Sequence, residues 1–466
     1  MGERRTEAGR GFPWRGRTPA CAGVVLGAAV TYGTAAALPA RALPAPPAPY
    51  AFAREARAVD GATGTTDAVR LDPGHLYRSA LPVGARRYYR LDLDATADAY
   101  VSVTAVPRAG ARVTSSDGFK VSLQDADGTT CSSGTAHFGP TQSPHPIAAW
   151  ASRETGPGTY GCKGAGAYYV VVERRDPTAV LPTGWDLELD YVSEPAVRRA
   201  GSTAPSGGWS AGSPAPVLGE AAPRVGGAGF ATASALGQGV WRDAIRPGQT
   251  LFYKVPVDWG QQLSATAEMS SSGSGDGYVG TALALSLYNP VRAHVEDAGA
   301  GYGGAQSSAA LEPLPPVDYA NRRAVGSRAG GMRFAGWYYL AVHLGAPVAD
   351  RFGGGPFGLT LRVRIGGTPV SGPVYAGRSA PREVFEVTAA DRREASAGAA
   401  AGTARGGGFD GSAPLVRAGA GGGTAGDTRA LAMLAAGGIG TGSALLLWLG
   451  VWTAAARRRA RRRWAG

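Results

Sequence analysis

Apolar and polar residues alternate with a period of two through much of the chain between residues 70 and 367. The stretches 187–191 (LELDY), 263–267 (LSATA) and 359–365 (LTLRVRI) place every second residue on one apolar face. Successive side chains of a strand point to opposite faces of a sheet. The pattern therefore predicts strands that cover a core with one face and meet water with the other.

Three blocks of sequence occur twice, in the same order. The offsets of 164, 170 and 174 grow along the chain, as loop insertions between two copies of one fold would produce. Most of the chain is therefore one domain type built twice. The blocks are YRSALPVGARRYYRLDL (77–93) with WRDAIRPGQTLFYKVPV (241–257), GAYYVVV (166–172) with GWYYLAV (336–342), and PTGWDLELDY (182–191) with PFGLTLRVRI (356–365).

Glycine and proline punctuate both copies, as at Pro73-Gly74 and Pro247-Gly248. Such dipeptides favour turns, and many short strands over this length are typical of a β-sandwich or jelly roll. We therefore predict an all-β fold of two tandem β-sandwich or jelly-roll-like domains, at residues 70–193 and 233–367. One C-terminal transmembrane helix completes the predicted fold.

Three further stretches are too rich in Pro, Gly, Ser and Ala to bury a core of their own. Residues 43–69 are predicted to be a linker before the first domain, and residues 194–232 a linker between the two domains. Residues 368–429 are predicted to be a Gly/Ala-rich stalk. The sequence thus predicts two domains joined by flexible chain.

Basic residues are concentrated at the two ends of the chain. The net charge is +12, of which residues 1–42 contribute +4 and residues 430–466 contribute +6, so that 43–429 carries +2. A nearly neutral middle with basic ends is a pattern of membrane topology and not of nucleic-acid binding. We therefore expect no nucleic-acid partner.

The first 42 residues have the pattern of an export signal. Arginines precede an apolar run at 20–38. Small residues occupy the end of this run, at 35–37, and the A-x-A stretch 40–42 just after it. This order of basic, apolar and small residues is that of a signal peptide. We favour a cleaved signal peptide at 1–42 over an uncleaved membrane anchor.

The segment Ala430–Ala456 contains no charged residue. At about 1.5 Å per residue, its helix is long enough for the ~30 Å hydrocarbon core, where it would contact membrane lipid. The arginines of 457–466 mark the cytoplasmic side. The sequence therefore predicts a single-pass plasma-membrane protein with its N-terminal bulk outside the cell and this Arg-rich tail inside.

The order of the repeated blocks carries a resemblance to a known family. Each copy begins with an aromatic residue, a short turn and G-x-x-x-aromatic-Tyr, at Gly84–Tyr89 and Gly248–Tyr253, and ends with G-x-Tyr-Tyr and an alternating strand. In this the chain resembles the bacterial pre-peptidase C-terminal domain, a secreted β-sandwich often appended to extracellular peptidases. The resemblance implies an accessory module, because catalysis in that family lies in a separate peptidase domain.

Cys131 and Cys162 are the two cysteines outside the signal segment. An exported chain meets oxidising conditions, so we predict a disulfide between them within the first domain. Closing this loop would stabilise the fold by roughly 3–4 kcal/mol on the loop-entropy model. The second copy has no cysteine, which makes the bridge an addition to the shared fold.

Motifs for catalysis, metals and cofactors are weak. Gly208–Gly212 matches G-x-S-x-G, but it lies in a linker and not between a strand and a helix. The five histidines lack zinc-type spacing, and His343, where the first copy has Glu173, is expected at the surface. Asp125 and Asp127 are interpreted as turn formers and not as calcium ligands. We assign no catalytic residue, no metal and no cofactor.

Two tyrosine pairs are the best binding candidates. Tyr168 and Tyr169 must point to opposite faces of a strand, and so must Tyr338 and Tyr339. One member of each pair is expected in the core, and the other could present an aromatic surface to a glycan or a protein. The alternative is that both are ordinary strand aromatics on a half-buried face.

These observations favour a non-catalytic, single-pass cell-surface protein that presents two β-sandwich modules. Its partner would be an extracellular protein or a component of the cell wall. The alternative is an extracellular, peptidase-like envelope hydrolase, or an accessory subunit of one, with its catalytic groups in loops such as 128–160 or 290–335.

Overall fold

The computed structural model describes residues 49–108, 111–156, 161–175, 184–199, 204, 207–215 and 217–403. The predicted signal peptide at 1–42, the predicted membrane helix Ala430–Ala456 and the tail 457–466 lie outside these residues. Within the described part of the chain, no helix is both long enough and apolar enough to cross a bilayer.

The first sandwich contains ten strands, labelled β1 to β10. They are β1 (Arg57–Ala58), β2 (Val69–Arg70), β3 (His75–Leu81), β4 (Arg86–Leu93), β5 (Asp98–Pro107), β6 (Gly118–Gln124), β7 (Thr130–His137), β8 (Ile147–Arg153), β9 (Gly166–Arg175) and β10 (Trp185–Glu194).

The second sandwich contains strands β11 to β20 and two short helices. The strands are β11 (Ala222–Pro223), β12 (Ser234–Ala235), β13 (Gly239–Ile245), β14 (Thr250–Val257), β15 (Gln262–Met269), β16 (Val279–Tyr288), β17 (His294–Tyr302), β18 (Ser307–Ala310), β19 (Gly336–Leu344) and β20 (Phe357–Gly366). The helices are α1 (Ser327–Gly331) and α2 (Val348–Phe352), and α3 (Ala389–Thr403) follows the sandwich.

The two sandwiches have the same topology. Sheet I has the order β1-β3-β10-β5-β8 in the first sandwich and β11-β13-β20-β15-β18 in the second. Sheet II has the order β2-β4-β9-β6-β7 in the first and β12-β14-β19-β16-β17 in the second. The two-residue strands pair in parallel with their neighbours in both copies, and the pairings among the longer strands are antiparallel. The all-β prediction of two β-sandwiches is thus confirmed.

The repeated unit begins earlier than the three sequence blocks indicate. Strand β1 lies within residues 43–69 and β2 begins at the last residue of that range, while β11 lies within 194–232. The composition assigns both ranges to linkers. A weaker repeat explains this, because Gly61 and Leu71 of the first copy correspond to Gly226 and Leu236 of the second. Both leucines are buried in the core of their sandwich.

The last strand of the repeat is displaced from the alignment of the sequence blocks. Trp185 pairs with Leu81 in the first sandwich, and Phe357 pairs with Ile245 in the second. Trp185 therefore corresponds to Phe357 and not to Leu359. Because this displacement is an even number of residues, it leaves the inward and outward faces as the alternation predicts.

The predicted disulfide is confirmed. The Cys131 and Cys162 sulfur atoms are 2.09 Å apart, and the bridge joins β7 to the segment before β9. Asp125, just upstream, accepts hydrogen bonds at Oδ1 from the backbone N–H groups of Asp127 and Thr129. These are the contacts of a turn-forming aspartate.

Beyond β20 the chain returns to the first sandwich. This return segment, residues 370–387, forms backbone hydrogen bonds between Ala380 and Ser193 in both directions. Helix α3 then packs against the second sandwich, where Trp337 Nε1 donates to Asp391 Oδ1 at 3.0 Å. Part of the stretch predicted as a stalk therefore contacts both sandwiches.

The early start of the repeat can be tested at Gly61. A Cβ atom there would lie 2.7 Å from the hydroxyl oxygen of Tyr89, whose ring is fully buried. We expect Gly61→Ala to lower the free energy of unfolding by about 1–3 kcal/mol through overpacking. Gly64→Ala is the matched control, because no atom lies within 4 Å of its added Cβ. Equal stabilities in urea denaturation would contradict the packing of this segment.

Candidate functional site

One outer face of the first sandwich is buried, although the alternation predicts that it meets water. Strand β5 of sheet I is buried on both faces from Asp98 to Ala105. Glu188 points outward from β10 and has no exposed surface. The prediction of a wet outer face is wrong here, because the second sandwich and the return segment pack against this sheet.

The first ion cluster at this junction centres on Arg292. Its Nη1 atom donates to Glu188 Oε1 at 2.6 Å, and its Nε atom lies 3.1 Å from Asp190 Oδ2. The latter contact is an ion pair without the alignment of a hydrogen bond. The carboxylates belong to β10 of the first sandwich and the guanidinium to the second. Because both Arg292 and Glu188 are buried, neither can exchange its partner for water.

The backbone of Arg292 adopts a conformation that glycine normally supplies. Arg292 has φ 55°, and the corresponding residue of the first copy, Gly128, has φ 83°. Both lie in a turn with the same hydrogen bonds, from the N–H of Arg292 to Asn289 O and from the N–H of Gly128 to Asp125 O. A left-handed residue with a Cβ costs roughly 1–2 kcal/mol. The ion pairs with β10 offset this strain.

The second ion cluster centres on Arg322, in the 3-10 turn Tyr319–Arg323. Its Nη2 atom donates to both carboxylate oxygens of Glu194, at 2.9 and 3.2 Å, and its Nη1 atom donates to Asp98 Oδ2 at 3.4 Å. Glu194 also accepts hydrogen bonds from the hydroxyls of Tyr100 at 2.7 Å and Tyr375 at 2.8 Å. Glu194 therefore connects both sandwiches with the return segment.

A third pair joins Arg333 to Glu154 through contacts of 2.9 and 3.3 Å. The Arg333 guanidinium also lies over the rings of Tyr100, Trp150 and Phe334. Every carboxylate in these three clusters comes from the first sandwich, and every guanidinium comes from the second. The junction is therefore electrostatically complementary.

The clusters contain more carboxylates than guanidiniums, and this shifts their ionisation. Burial, followed by repulsion from Glu194, raises the pKa of Asp98 to about 6. Burial alone would raise the pKa of Glu154, but its ion pair with Arg333 outweighs this and lowers it. Asp98 therefore binds a proton in the docked state at a pH where the separated carboxyl is ionised.

Apolar side chains fill the junction between the ion pairs. One cluster brings Tyr100 and Val192 of the first sandwich against Val291, Phe334 and Phe385. A second cluster brings Ala148 of the first sandwich against the second, and its other buried members are Phe230, Ala233, Phe252 and Tyr288. Buried apolar area supplies cohesion, and the ion pairs set the relative orientation.

The first described residues also cross the junction. The Tyr50 hydroxyl donates to Glu188 Oε1 at 3.0 Å, and the backbone N–H of Ala53 donates to Glu188 Oε2 at 3.0 Å. The Tyr50 ring packs edge-on against Phe252, with 5.8 Å between ring centroids. Tyr50 therefore contacts both sandwiches.

A solvent-accessible cavity of about 680 Å³ lies between the β14–β15 turn and the return segment. Its walls include Trp259, Tyr375 and Phe385. Its charged groups are Asp258, Arg378, Arg382, Glu383 and Glu386. Among the described residues, neither of these two arginines takes part in an ion pair. The cavity thus combines aromatic walls with guanidinium donors and carboxylate acceptors, a combination suited to binding polar ligands that also have apolar surface.

The structure separates the two members of each predicted tyrosine pair. Tyr168 and Tyr338 point into the cores of their sandwiches and are buried. Tyr169 is half-buried on sheet II of the first sandwich. Tyr339 packs edge-on against Phe230, with 5.3 Å between ring centroids, and belongs to the junction. A binding role for Tyr169 or Tyr339 stays a prediction.

His343 is buried, so its expected surface position is wrong. Sequence reasoning also missed the three arginines of the junction and the cavity. One signal was present: Arg292 occupies a turn position where the first copy has glycine. Another was the row of outward acids Asp186, Glu188 and Asp190 on β10, which outnumbers the one arginine opposite it, Arg78, and Arg78 pairs with Asp186.

Comparisons with known proteins identify no family. No family model matches the chain, and no curated protein matches it. Similar solved structures include the CUB1-EGF-CUB2 domain of human MASP-1/3 (9% identity, 62% of this chain and 99% of that chain, TM-score 0.15). A second match is the CBM22-1-CBM22-2 tandem domain of Paenibacillus barcinonensis Xyn10C, with 9% identity over 63% of this chain and 92% of that chain (TM-score 0.17). A third is the ANX1 ectodomain of Arabidopsis thaliana, with 10% identity over 65% of this chain and 91% of that chain (TM-score 0.16). At these TM-scores the similarities support no functional argument.

The junction can be tested at Arg292. We expect Arg292→Ala to lower the free energy of unfolding by about 3–5 kcal/mol, because Glu188 is then left buried without its cation. Arg292→Gly should lower it by about 1 kcal/mol less, because glycine relieves the left-handed strain. Urea denaturation of the full-length protein measures both values.

The matched control is Arg86→Ala. Arg86 pairs with Glu173 at 2.9 Å on an exposed face, so its loss should cost less than about 1 kcal/mol. If the Arg292 and Arg86 variants lose the same stability, the Arg292 contacts do not stabilise the junction.

Proposed function

We propose that this chain is a non-catalytic binding protein of the cell surface whose two β-sandwiches act as one rigid binding unit. The observation that carries the proposal is the junction. Buried ion pairs and two apolar clusters fix the relative orientation of the sandwiches. A fixed orientation favours binding, because little motion between domains has to be frozen when a ligand is captured.

The ligand site of this proposal is the cavity beside Trp259. The return segment forms one wall, and Tyr375 in that segment is held by its hydrogen bond to Glu194 of the first sandwich. The shape of the cavity therefore depends on the docked arrangement. Exposed Val374 extends apolar surface close to the wall. An extracellular protein or a cell-wall component with polar and apolar groups fits this chemistry.

Location and family belong to the same proposal. The basic and apolar segment 1–42 and the uncharged segment 430–456 support export followed by retention in the plasma membrane. The repeated G-x-x-x-aromatic-Tyr and G-x-Tyr-Tyr blocks support a pre-peptidase C-terminal type of sandwich. Such a module would act as an accessory and not as a catalyst.

The binding proposal can be tested by site-specific photocrosslinking on intact cells. A benzophenone side chain at position 374, beside the cavity, should capture a neighbouring molecule. The same group at Tyr278 is the control, because this residue is 70% exposed. Trp259 precedes the first residue of β15, whereas Tyr278 follows the last residue of that strand, at its opposite end. We expect Arg378→Ala with Arg382→Ala to reduce capture at position 374 by about a hundredfold or more, since each of the two lost charge-assisted hydrogen bonds contributes about 1.5–3 kcal/mol.

Two outcomes would contradict this proposal. Capture that is equal at positions 374 and 278, or that is insensitive to the arginine changes, would remove the cavity as the site. Turnover of peptides or wall fragments by the purified protein, abolished by one point change, would favour the envelope hydrolase instead.

A further inference from the structure

Two histidines meet face to face across the junction. His145 belongs to the first sandwich, in the segment before β8, and His343 lies on β19 of the second. Their ring centroids are 4.4 Å apart and their planes differ by 24°. Beside them, the backbone N–H of Ala346 donates to Ser143 Oγ at 3.1 Å, which closes the contact between the sandwiches.

The hydrogen bonds of both rings suit the neutral form. His145 Nδ1 lies 2.7 Å from Ser143 O, so this nitrogen carries a proton and donates it to the carbonyl. His343 Nδ1 is hydrogen-bonded to Thr250 Oγ1 at 3.0 Å. His343 Nε2 is buried without a hydrogen-bond partner among the described residues. A proton added at that atom would therefore be buried without an acceptor.

Among the described residues, neither ring of the pair forms an ion pair with a carboxylate, in contrast to His294, which pairs with Asp297. On sheet II, His343 is flanked by Thr250 of β14 and Ala284 of β16. On the other side, His145 packs against Phe138. Within the described part of the chain, His145 is the ionisable group that acts on His343, and its charge lowers the pKa of His343, whereas the Gln249 carbonyl acts in the opposite direction. The carboxylates of the junction are engaged with Arg292, Arg322 and Arg333.

We propose that this histidine pair makes the junction acid-sensitive: protonation of the rings favours separation of the two sandwiches. In the docked state two stacked imidazolium ions would repel each other across 4.4 Å, with His343 buried. In the separated state both rings reach water and accept protons freely. Protons therefore bind preferentially to the separated state, and a lower pH shifts the equilibrium toward that state.

The direction of the pH dependence follows from the groups involved. Burial lowers the pKa of both histidines, and for His343 repulsion by His145 lowers it further. Docking stability is thus fully present above the ordinary histidine pKa of about 6.5 and is lost as the pH falls below it. Asp98 and Asp190 act in the opposite direction, because burial raises the pKa of each and docking then favours their protonated forms.

These effects bound the net change in the opening ratio, which is the ratio of separated to docked molecules. Each imidazole whose pKa is lower in the docked state raises the opening ratio by up to about tenfold per pH unit below about 6.5, so the pair sets an upper bound of about a hundredfold per pH unit. Each carboxyl with a raised pKa lowers it by up to about tenfold per pH unit. Between pH 7 and pH 5 we therefore expect the opening ratio to rise by on the order of tenfold.

Hydrogen exchange followed by mass spectrometry on the full-length protein measures this change. Amides of β8 and of residues 289–293 report on the junction, and amides of β6 and β9 in sheet II of the first sandwich are the internal reference. The reference removes the intrinsic pH dependence of exchange and separates opening of the junction from global unfolding. Exchange at the imidazole C2 position reports the pKa of each histidine in the same samples.

The decisive variant is the double change His145→Phe with His343→Phe. It keeps two stacked rings but removes their titration. Asp98 and Asp190 then remain as the groups whose titration affects docking. Its junction should open less at pH 5 than at pH 7, the reverse of the wild-type behaviour. His145→Phe alone keeps the contact between His343 and Thr250 and should show an intermediate slope. His137→Gln changes an exposed histidine and should behave as the wild type.

The proposal would be overturned if the wild-type junction opened equally or less at pH 5, relative to the reference strands. It would also be overturned if the double phenylalanine variant kept the wild-type slope, or if His145 and His343 in the docked protein titrated at or above the ordinary histidine pKa of about 6.5. If the double variant does not fold, His145→Phe and the C2-exchange pKa values still decide the outcome.

Discussion

The arrangement of the two sandwiches depends on carboxylates that strand β10 places on an outward face. A buried carboxylate without a cation is costly, so Glu188 can be covered only by a surface that brings one. The second sandwich supplies Arg292 from a turn whose backbone would otherwise favour glycine. The same logic holds for Glu194 with Arg322 and for Glu154 with Arg333. These pairs select one docked orientation, because any other would leave charges buried alone.

Duplication alone does not produce this junction, because the faces that meet are not equivalent. Sheet I of the first sandwich packs against sheet II of the second. The outer face of sheet I of the second sandwich lies outside the junction. The chain between the domains contacts it, since Arg362 donates to Val217 O and Arg364 donates to Ala215 O. The outer face of sheet II of the first sandwich also lies outside the junction, and it has exposed ion pairs such as Arg86 with Glu173. The two copies have therefore diverged on their surfaces while keeping one topology.

The junction also links the candidate ligand cavity to the histidine pair. The return segment lines the cavity, and its Tyr375 depends on Glu194 of the first sandwich for a hydrogen bond. The histidines lie in the same junction but apart from its arginine–carboxylate pairs, so those carboxylates do not neutralise a proton that the histidines bind. Separation of the sandwiches would therefore remove one support of the cavity wall. In this way, docking, the proposed ligand site and the proposed response to acid share one structural element.

The sequence by itself determined the fold class, the duplication and the disulfide. Alternation with period two reports directly which side chains face a core, and this local property survives any change in domain arrangement. It did not reveal the strands at 57–58, 69–70 and 222–223, because two-residue strands are too short to show alternation. It placed the last strand two residues out of register, because an even displacement leaves the pattern unchanged.

Only the tertiary structure decided which outward faces are buried. Glu188 and His343 look like surface residues in the sequence, since a polar residue on an alternating strand normally faces water. Their partners, Arg292 and His145, lie more than a hundred residues away in the other sandwich. The energy of such contacts depends on three-dimensional proximity and burial, neither of which is encoded in the local pattern of apolar and polar residues.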